Sequence, residues 1–397
     1  MIFVARIEYF KRENIHGYLS SLSLFSIFVM EWCGVKLLST IFYMNEKGNK
    51  DNEKLDKNGS VKIKPVHVMI PVVIGIGVVA WLFADEFKNF EWNLLSLTAN
   101  SAIALLLAIV AVAGREAGYM WRYHRLTDGD LTWWQSFKVC MLCEFTSCVT
   151  PTAVGGSSVA MIFMNREGIN FGRGTTIMII TLFLDELFFV VSCPLIVAVT
   201  PFDSLFGTMH SSFSFGLKWA FWGIYALMAV WTAILFAGII VKPGFIKRLL
   251  VKIFSIGWLK RWLPAAESMT DNMVAASVAA KAKPFKWWLE AFVSTAFSWT
   301  CRYLLVCCLF LMFLSDVDQW IVFARQGVMW LLLLVCPTPG GSGVSEWLFN
   351  EYYSDMILSA QVSLVIAVLW RVLSYYVYLV AGLLVIPSWL KSGKVKK

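Results

Sequence analysis

Charged residues are scarce in this chain of 397 residues. Only 15% of the residues are charged, whereas 58% are hydrophobic. A soluble domain of this length with so few polar side chains would expose a large apolar surface to water. The composition therefore excludes an ordinary soluble protein and predicts a multi-pass membrane protein.

Motifs of known enzyme and metal sites are also missing. The four histidines are scattered, and the sequence has no nucleophile elbow, no His-x-x-x-His pair and no Walker-type phosphate loop. We therefore predict that the protein is not an enzyme and has no metal or other cofactor. The nine cysteines lie almost entirely in apolar runs, which favours buried side chains. The net charge of +8 is divided among short stretches between these runs, so we predict no nucleic-acid partner.

The first 65 residues form an N-terminal extension and a lysine-rich tail. Residues 1–43 mix both signs of charge and lack a signal-peptide pattern, whereas the polar stretch from Met44 suits a cytoplasmic N-terminus. One hypothesis is that translation starts at Met44 and that residues 1–43 are a gene-model extension. The alternative is an additional amphipathic or spanning helix.

Six apolar runs are long enough for a hydrocarbon core of about 30 Å. They cover residues 66–84, 93–119, 175–200, 216–241, 287–314 and 357–387. Two further segments, 136–165 and 320–350, are interrupted by a Pro-Thr pair followed by glycines. Proline removes a backbone donor, and lipid cannot satisfy the backbone groups freed by such a break. Each segment therefore predicts a re-entrant hairpin of two half-helices, with a kinked single span as the alternative.

The loop charges favour the hairpins, because Lys and Arg accumulate on the cytoplasmic side. Arg115, Arg122, Arg125 and Lys138 place the loop before the first interrupted segment inside. The basic loop 242–286 and the basic tail 391–397 also fall inside, provided that both interrupted segments turn back. We predict a cytoplasmic membrane of the bacterial type, with both termini cytoplasmic if translation starts at Met44. The amphipathic basic pattern of the loop 242–286 predicts a position on the inner leaflet, with a partner-docking surface as the alternative.

The hairpins create a repeat within the transmembrane domain, residues 66–390. A span, a hairpin and a span occur at about 93–200 and again at about 287–387, in opposite orientations. Transporters build a central site from such inverted-topology repeats. We predict an all-α polytopic bundle of about six full spans and two re-entrant hairpins.

Two stretches around the breaks resemble a known family. They are CVTPTAVGGSSVAMIFMNREG, followed by a helix with Asp185, and CPTPGGSGVSEWL, followed by AVLWRVLSYYVYLVAG. The chain resembles the lysylphosphatidylglycerol synthase transmembrane-region family of flippase-like membrane proteins over about residues 66–390. It differs from the family pattern at Ala153-Val154, in place of a proline-glycine step. The resemblance implies the membrane half of that family, without lipid synthase activity.

Ionisable residues inside the apolar segments are the candidates for substrate binding, because such groups face a cavity or a partner. We expect Arg302 and Arg371 to contact a lipid phosphate, since guanidinium groups donate in pairs and stay charged. Backbone N–H groups after the breaks would add donors. The full predicted set is Arg302, Arg371, Asp185, Glu186, Glu346, Glu144, Pro151, Thr152, Gly155, Gly156, Pro337, Thr338, Pro339, Gly340 and Gly341.

The roles of the carboxylates stay open. Asp185, Glu186 and Glu346 could bind a cationic headgroup, carry a coupling proton or hold the arginines in place. The packing alternative pairs Arg302 or Arg371 with Asp185 or Glu346.

The leading functional hypothesis is translocation of a phospholipid or a lipid-linked headgroup between leaflets. The expected partners are membrane lipids with anionic headgroups. An alternative is a non-transporting membrane partner that presents a lipid to a separate synthase or glycosyltransferase, so a membrane-associated lipid-modifying enzyme is a further candidate partner. A third hypothesis is an intramembrane enzyme with Glu144, Asp185 or Glu346 as the acid or base.

Overall fold

The structure, a computed structural model, describes residues 99–149, 155–206, 211–241, 243–255, 257, 260, 263–314, 316–334, 344–357 and 359–391. The predictions for residues 1–65 and for the span 66–84 lie outside the described residues. So do both Pro-Thr pairs and nearly all of the tail 391–397.

The described part of the chain is helical and contains no strand. Its helices are α1 (Ala99–Leu126), α2 (Trp133–Val149), α3 (Gly155–Arg166), α4 (Phe171–Val199), α5 (Phe202–Phe206), α6 (Ser211–Phe236), α7 (Pro243–Phe254), α8 (Leu263–Lys281), α9 (Phe285–Phe313), α10 (Gln319–Leu333), α11 (Val344–Tyr352), α12 (Ala360–Arg371) and α13 (Val377–Lys391). A π-helical turn, Ala237–Val241, extends α6, and a second one, Val372–Tyr376, joins α12 to α13.

Five segments of the described residues are long and apolar enough to cross a membrane. They are Asn100–Leu126, Gly172–Val199, Gly216–Val241, Phe285–Phe313 and Val365–Gly382. Each coincides with one of the predicted spans, and the sixth predicted span, 66–84, is not described. The prediction of an all-α polytopic membrane bundle is confirmed.

The end of one helix differs from the prediction, and this difference changes how two arginines are interpreted. The predicted span 93–119 is observed as α1, which continues to Leu126. Arg122 was predicted in the following loop, but it lies inside the helix, and both it and Arg115 are buried. The helix continues because these arginines find partners within the bundle. The prediction that this loop is cytoplasmic then rests on Arg125 and Lys138.

Helices α1 and α9 form the central pair of the bundle. Gly114 and Gly118 lie four residues apart on α1 and face α9. A Cβ atom at Gly118 would overlap the Ser298 hydroxyl and lie 3.0 Å from the Ser294 carbonyl oxygen, so only glycine allows this approach. The hydroxyl of Ser298 donates to the Arg115 carbonyl oxygen at 2.9 Å across the same contact. Small residues at this spacing are typical of closely packed membrane helices.

Helices α2 and α3 turn back on each other across the first break. They pack side by side, and the start of α2 meets the residue that follows α3. Lys138 donates to the Glu167 carboxylate at 2.8 Å, and the Gln135 amide donates to the Glu167 carbonyl oxygen at 3.3 Å. A straight or mildly kinked helix would hold these residues far apart. The contacts therefore give the segment the shape of a hairpin, and its re-entry into the membrane stays a prediction.

Helices α10 and α11 meet in the same way across the second break. Arg325, on the second turn of α10, donates to both carboxylate oxygens of Asp355 at 2.6 and 2.7 Å and to the Tyr352 carbonyl oxygen at 2.9 Å. The Gln326 amide donates to the Tyr353 hydroxyl at 2.7 Å. Each hairpin is thus closed by an ion pair between the start of its first helix and the chain just after its second helix.

Each hairpin packs against helices of its own half and also against a helix of the other half. Helix α2 of the first half packs against α13 of the second half, and α10 of the second half packs against α4 of the first. The buried apolar residues that the structure describes form two clusters, one for each hairpin. One is built around the second hairpin and the other around the first. Such contacts between the halves are expected of two repeats that pack about a common axis.

The basic segment between the halves folds into helices α7 and α8, which pack against each other. Lys247 of α7 is paired with Asp271 of α8. Helix α8 also packs against α4 and the π-helical turn after α6. A position of this segment on the inner leaflet stays a prediction.

Candidate functional site

Arginines and carboxylates from four helices meet where α1, α2, α4 and α9 pack together. The cluster, called here the ion cluster, consists of Arg115, Glu116, Arg122, Glu144, Asp185 and Arg302. Arg115 and Arg122 lie seven residues apart and therefore share one face of α1. Glu144 comes from α2, Asp185 from α4 and Arg302 from α9.

Glu144 lies between two of the arginines. Its Oε2 atom is paired with Arg115, and its Oε1 atom lies 3.5 Å from Arg302 Nη2. Arg115 is 2% exposed, whereas the Glu144 side chain is 17% exposed and that of Arg302 is 11% exposed. Glu144 and Arg302 therefore lie at the edge of the cluster, and Arg115 lies behind them.

Asp185 is held by α1 and α9. Arg122 Nη1 donates to its Oδ1 atom at 2.6 Å, and the Trp299 indole donates to the same atom at 3.0 Å. The sequence suggested Arg302 or Arg371 as the partner of Asp185. The observed partner is Arg122 of α1, because α1 and α4 both pack against α9.

Arg302 lies in an aromatic corner. Its guanidinium carbon is 4.7 Å from the Trp299 ring centre and 4.6 Å from that of Trp330. The two rings meet at 76° with centres 5.6 Å apart. Arg302 Nη2 donates to the Tyr119 hydroxyl at 3.2 Å. Aromatic faces stabilise a guanidinium without neutralising its charge.

Arg371, the second predicted phosphate contact, lies close to the first break. Its guanidinium carbon is 4.3 Å from the Tyr375 ring centre. The Tyr375 hydroxyl donates to the Cys148 carbonyl oxygen at 2.9 Å, at the end of α2. The π-helical turn that follows Arg371 turns this part of the last span toward α2, and such turns occur frequently at functional sites.

The remaining predicted residues fall in three groups. Glu186 faces α6, where the Thr232 hydroxyl donates to its Oε2 atom at 3.3 Å. Gly155 and Gly156 begin α3, and Glu346 lies in the first turn of α11, which begins at Val344. Both helices therefore start directly after the breaks. The rest lies outside the described residues: Pro151, Thr152, Pro337, Thr338, Pro339, Gly340 and Gly341.

Several members of the site were not predicted from the sequence. Arg115 and Arg122 were interpreted as topology charges, and Glu116 was not considered. The aromatic partners Tyr119, Trp299, Trp330 and Tyr378 were not considered either. The available signal was the seven-residue spacing of Arg115 and Arg122 within one apolar run, which places two cations on one helix face.

These features define a multi-pass helical membrane protein whose spans enclose a charged cluster. A family model described as "Lysylphosphatidylglycerol synthase TM region" matches residues 68–382, and the chain belongs to this family. A UPF0104 membrane protein from Archaeoglobus fulgidus is 22% identical over 340 residues, which are 83% of this chain and 99% of that protein. No solved structure matches the chain.

Proposed function

We propose that this protein moves a phospholipid or a lipid-linked headgroup between the leaflets of its membrane, and that the ion cluster binds the headgroup phosphate. The observation that carries the proposal is the environment of Arg302. This cation lies near the middle of a membrane-length helix, is partly exposed and rests against two tryptophan rings. Its Nε atom has no hydrogen-bond partner among the described residues.

The cost of the ion cluster supports a functional role. An arginine at the centre of a membrane helix costs about 2.5–3.5 kcal/mol on insertion scales. Buried ion pairs can often be replaced by well-packed apolar residues without loss of stability. A cluster of three arginines and three carboxylates is therefore a costly way to pack four helices.

The cluster divides into a buried base and a more exposed edge. Arg115 and Arg122 are almost fully buried, and each holds one carboxylate in position. Glu144, Asp185 and Arg302 remain 17%, 19% and 11% exposed. A phosphate that approaches this edge would meet Arg302, whose planar guanidinium can donate two parallel hydrogen bonds.

The breaks add donors for the same anion. Helices α3 and α11 begin at Gly155 and Val344, directly after the breaks, and helix N-termini favour phosphate groups. Arg371 lies near the end of α2, where the first break begins. In the proposed cycle, the phosphate passes from Arg302 to one break or the other as the hairpins expose the site to alternate sides.

The test measures lipid movement in liposomes that contain the purified protein and fluorescent phospholipids. We expect Arg302→Gln to slow movement of an anionic phospholipid about tenfold to a hundredfold, because a hydrogen bond to a charged group contributes about 1.5–3 kcal/mol. Arg125→Gln is the matched control. Arg125 lies at the end of α1 in a half-exposed pair with Glu290, so its loss should leave the rate within about twofold.

Two outcomes would count against the proposal. If the wild-type protein moves no lipid in either direction, translocation is wrong. Lipid that binds tightly without moving would then favour the non-transporting alternative. If Arg302→Gln and Arg125→Gln behave alike while both remain folded, Arg302 is not the phosphate contact.

A further inference from the structure

Glu116 lies in an unusual position within the ion cluster. The side chain comes from α1 and is 10% exposed. The Tyr378 hydroxyl donates to its Oε1 atom at 2.8 Å, while its Oε2 atom is buried and has no hydrogen-bond partner among the described residues. Leaving a buried carboxylate oxygen without a donor is costly. A carboxylic acid with its proton on Oε2 avoids most of that cost, because the group is then neutral.

Arg115 faces Glu116 without bonding to it. Its Nε atom lies 3.6 Å from Glu116 Oε1, which is too long for a hydrogen bond, and this Nε atom has no partner among the described residues. The same guanidinium is instead paired through Nη2 with Glu144. One arginine thus lies between two carboxylates and is bonded to only one of them.

Titratable groups on four helices interact with Glu116. Arg115 precedes it on α1, Glu144 and Cys140 face it from α2, Arg302 faces it from α9, and Tyr378 faces it from α13. The two arginines favour the ionised carboxylate, whereas Glu144 and burial favour the acid. The observed geometry, with Arg115 bonded to Glu144, is the one expected when Glu116 carries a proton.

We propose that Glu116 binds and releases a proton that couples the headgroup site to a proton gradient. The inference rests on the proposed function. With Glu116 protonated, the four side chains Arg115, Arg302, Glu116 and Glu144 carry one net positive charge. Arg115 then holds Glu144, and Arg302 is available to a phosphodiester, which carries one negative charge.

Loss of the proton reverses this state. When the Oε2 proton leaves to water, ionised Glu116 attracts Arg115 across the 3.6 Å gap. Glu144 then pairs with Arg302 alone. The same four side chains now carry no net charge. Because each of Arg302 and Glu144 is now neutralised by the other, the site loses affinity for the phosphate. Proton and phosphate therefore bind together and leave together, which links lipid movement to the proton gradient.

The first experiment measures lipid movement in proteoliposomes with a pH gradient imposed in either direction. For the wild-type protein we expect the rate to change up to about tenfold per pH unit, since one unit is a tenfold change in proton activity. In Glu116→Gln, which mimics the neutral acid and cannot release a proton, the rate of lipid movement should no longer respond to the gradient. Glu290→Gln, at the half-exposed end of α9, is the matched control and should respond like the wild type.

The outcomes separate this inference from the proposed function. If wild type and Glu116→Gln respond equally to the gradient, the role of Glu116 is wrong and translocation stands. If the wild-type protein moves no lipid under any gradient, the proposed function fails.

A second measurement decides proton binding without transport. Infrared spectra of the purified protein should contain a carboxylic-acid band that is absent in Glu116→Gln. Short-chain phosphatidylglycerol should strengthen this band in the wild type and not in Arg302→Gln. Identical acid bands in wild type and Glu116→Gln would overturn the proposal, whatever the transport result.

Discussion

Asp128 is the residue that ties the turn after α1 to the rest of the bundle. Its φ of 56° lies in the left-handed region, which aspartate and asparagine tolerate better than other side chains. The Lys283 ammonium donates to its Oδ2 atom at 2.6 Å, the Trp287 indole to Oδ1 at 3.0 Å, and Arg173 to Oδ2 at 3.2 Å. One carboxylate therefore joins the α1–α2 turn to the starts of α4 and α9.

The charge of Asp128 should make stability depend on pH. Burial raises the pKa of Asp128, but the hydrogen bonds and charges of Lys283, Trp287 and Arg173 outweigh burial and hold the pKa below its ordinary value. A lowered folded-state pKa stabilises the protein above the unfolded pKa of about 3.9, and this contribution is lost as pH falls through the folded value.

Asp128→Asn tests this prediction, because asparagine keeps the tolerance for positive φ and removes the charge. We expect it to lower the unfolding free energy at neutral pH by at most about 1 kcal/mol, the upper range for exposed ion pairs. Thermal unfolding in detergent should show that the difference from wild type shrinks below about pH 3.9. The exposed Asp316→Asn serves as the control. A difference that stays constant down to the lowest pH would contradict the ionic explanation.

At the scale of the element, the contact between α1 and α9 determines where the ion cluster forms. Gly114 and Gly118 let the two helices approach closely. Across the same contact Arg122 reaches the Thr295 hydroxyl and Arg302 reaches the Tyr119 hydroxyl. Any change that separates the helices should therefore disturb both the packing and the site.

Gly118→Ala is expected to reduce stability, because the new Cβ atom would meet the Ser294 carbonyl oxygen at 3.0 Å and the Phe297 ring at 3.1 Å. Overpacking of this kind costs about 1–3 kcal/mol. Gly223→Ala on α6 is the matched control, because a Cβ atom there would meet no atom within 4 Å. Comparison of melting temperatures measures the effect, and equal melting temperatures would show that the helices can separate freely.

At the scale of the whole molecule, the two hairpins open at different ends of the predicted topology. The first is closed by Lys138 and Glu167, on the side predicted to be cytoplasmic, and the second by Arg325 and Asp355, on the side predicted to be external. The contact of each hairpin with the other half agrees with an inverted repeat. The membrane sidedness of the two hairpins can be measured directly.

Cysteine labelling provides that measurement. Asn165 and Ser354 are exposed near the mouths of the first and second hairpins. We expect an impermeant maleimide to label Asn165→Cys from the cytoplasmic side and Ser354→Cys from the opposite side. The seven cysteines within the described residues are all buried, so wild-type protein provides the background. Labelling of both variants from one side would rule out the inverted repeat.

The sequence predicted more of the fold than of the candidate site. Spans are local sums of hydropathy, so five of them appeared at nearly their observed positions. The breaks are also local, and α3 and α11 begin directly after them. Arg302 and Glu144 were identified as unusual simply because charges are costly inside apolar runs.

The sequence by itself determined which segments are helical and apolar and which residues are charged within them, because both follow from the chemistry of neighbouring residues. Only the tertiary structure decided the partners. Arg122 and Asp185 are 63 positions apart, and the sequence offered other arginines as partners for that carboxylate. Which pair forms depends on how α1, α4 and α9 pack against one another. Ion pairing and the placement of a proton require distances of a few ångströms between different helices, and packing alone sets those distances.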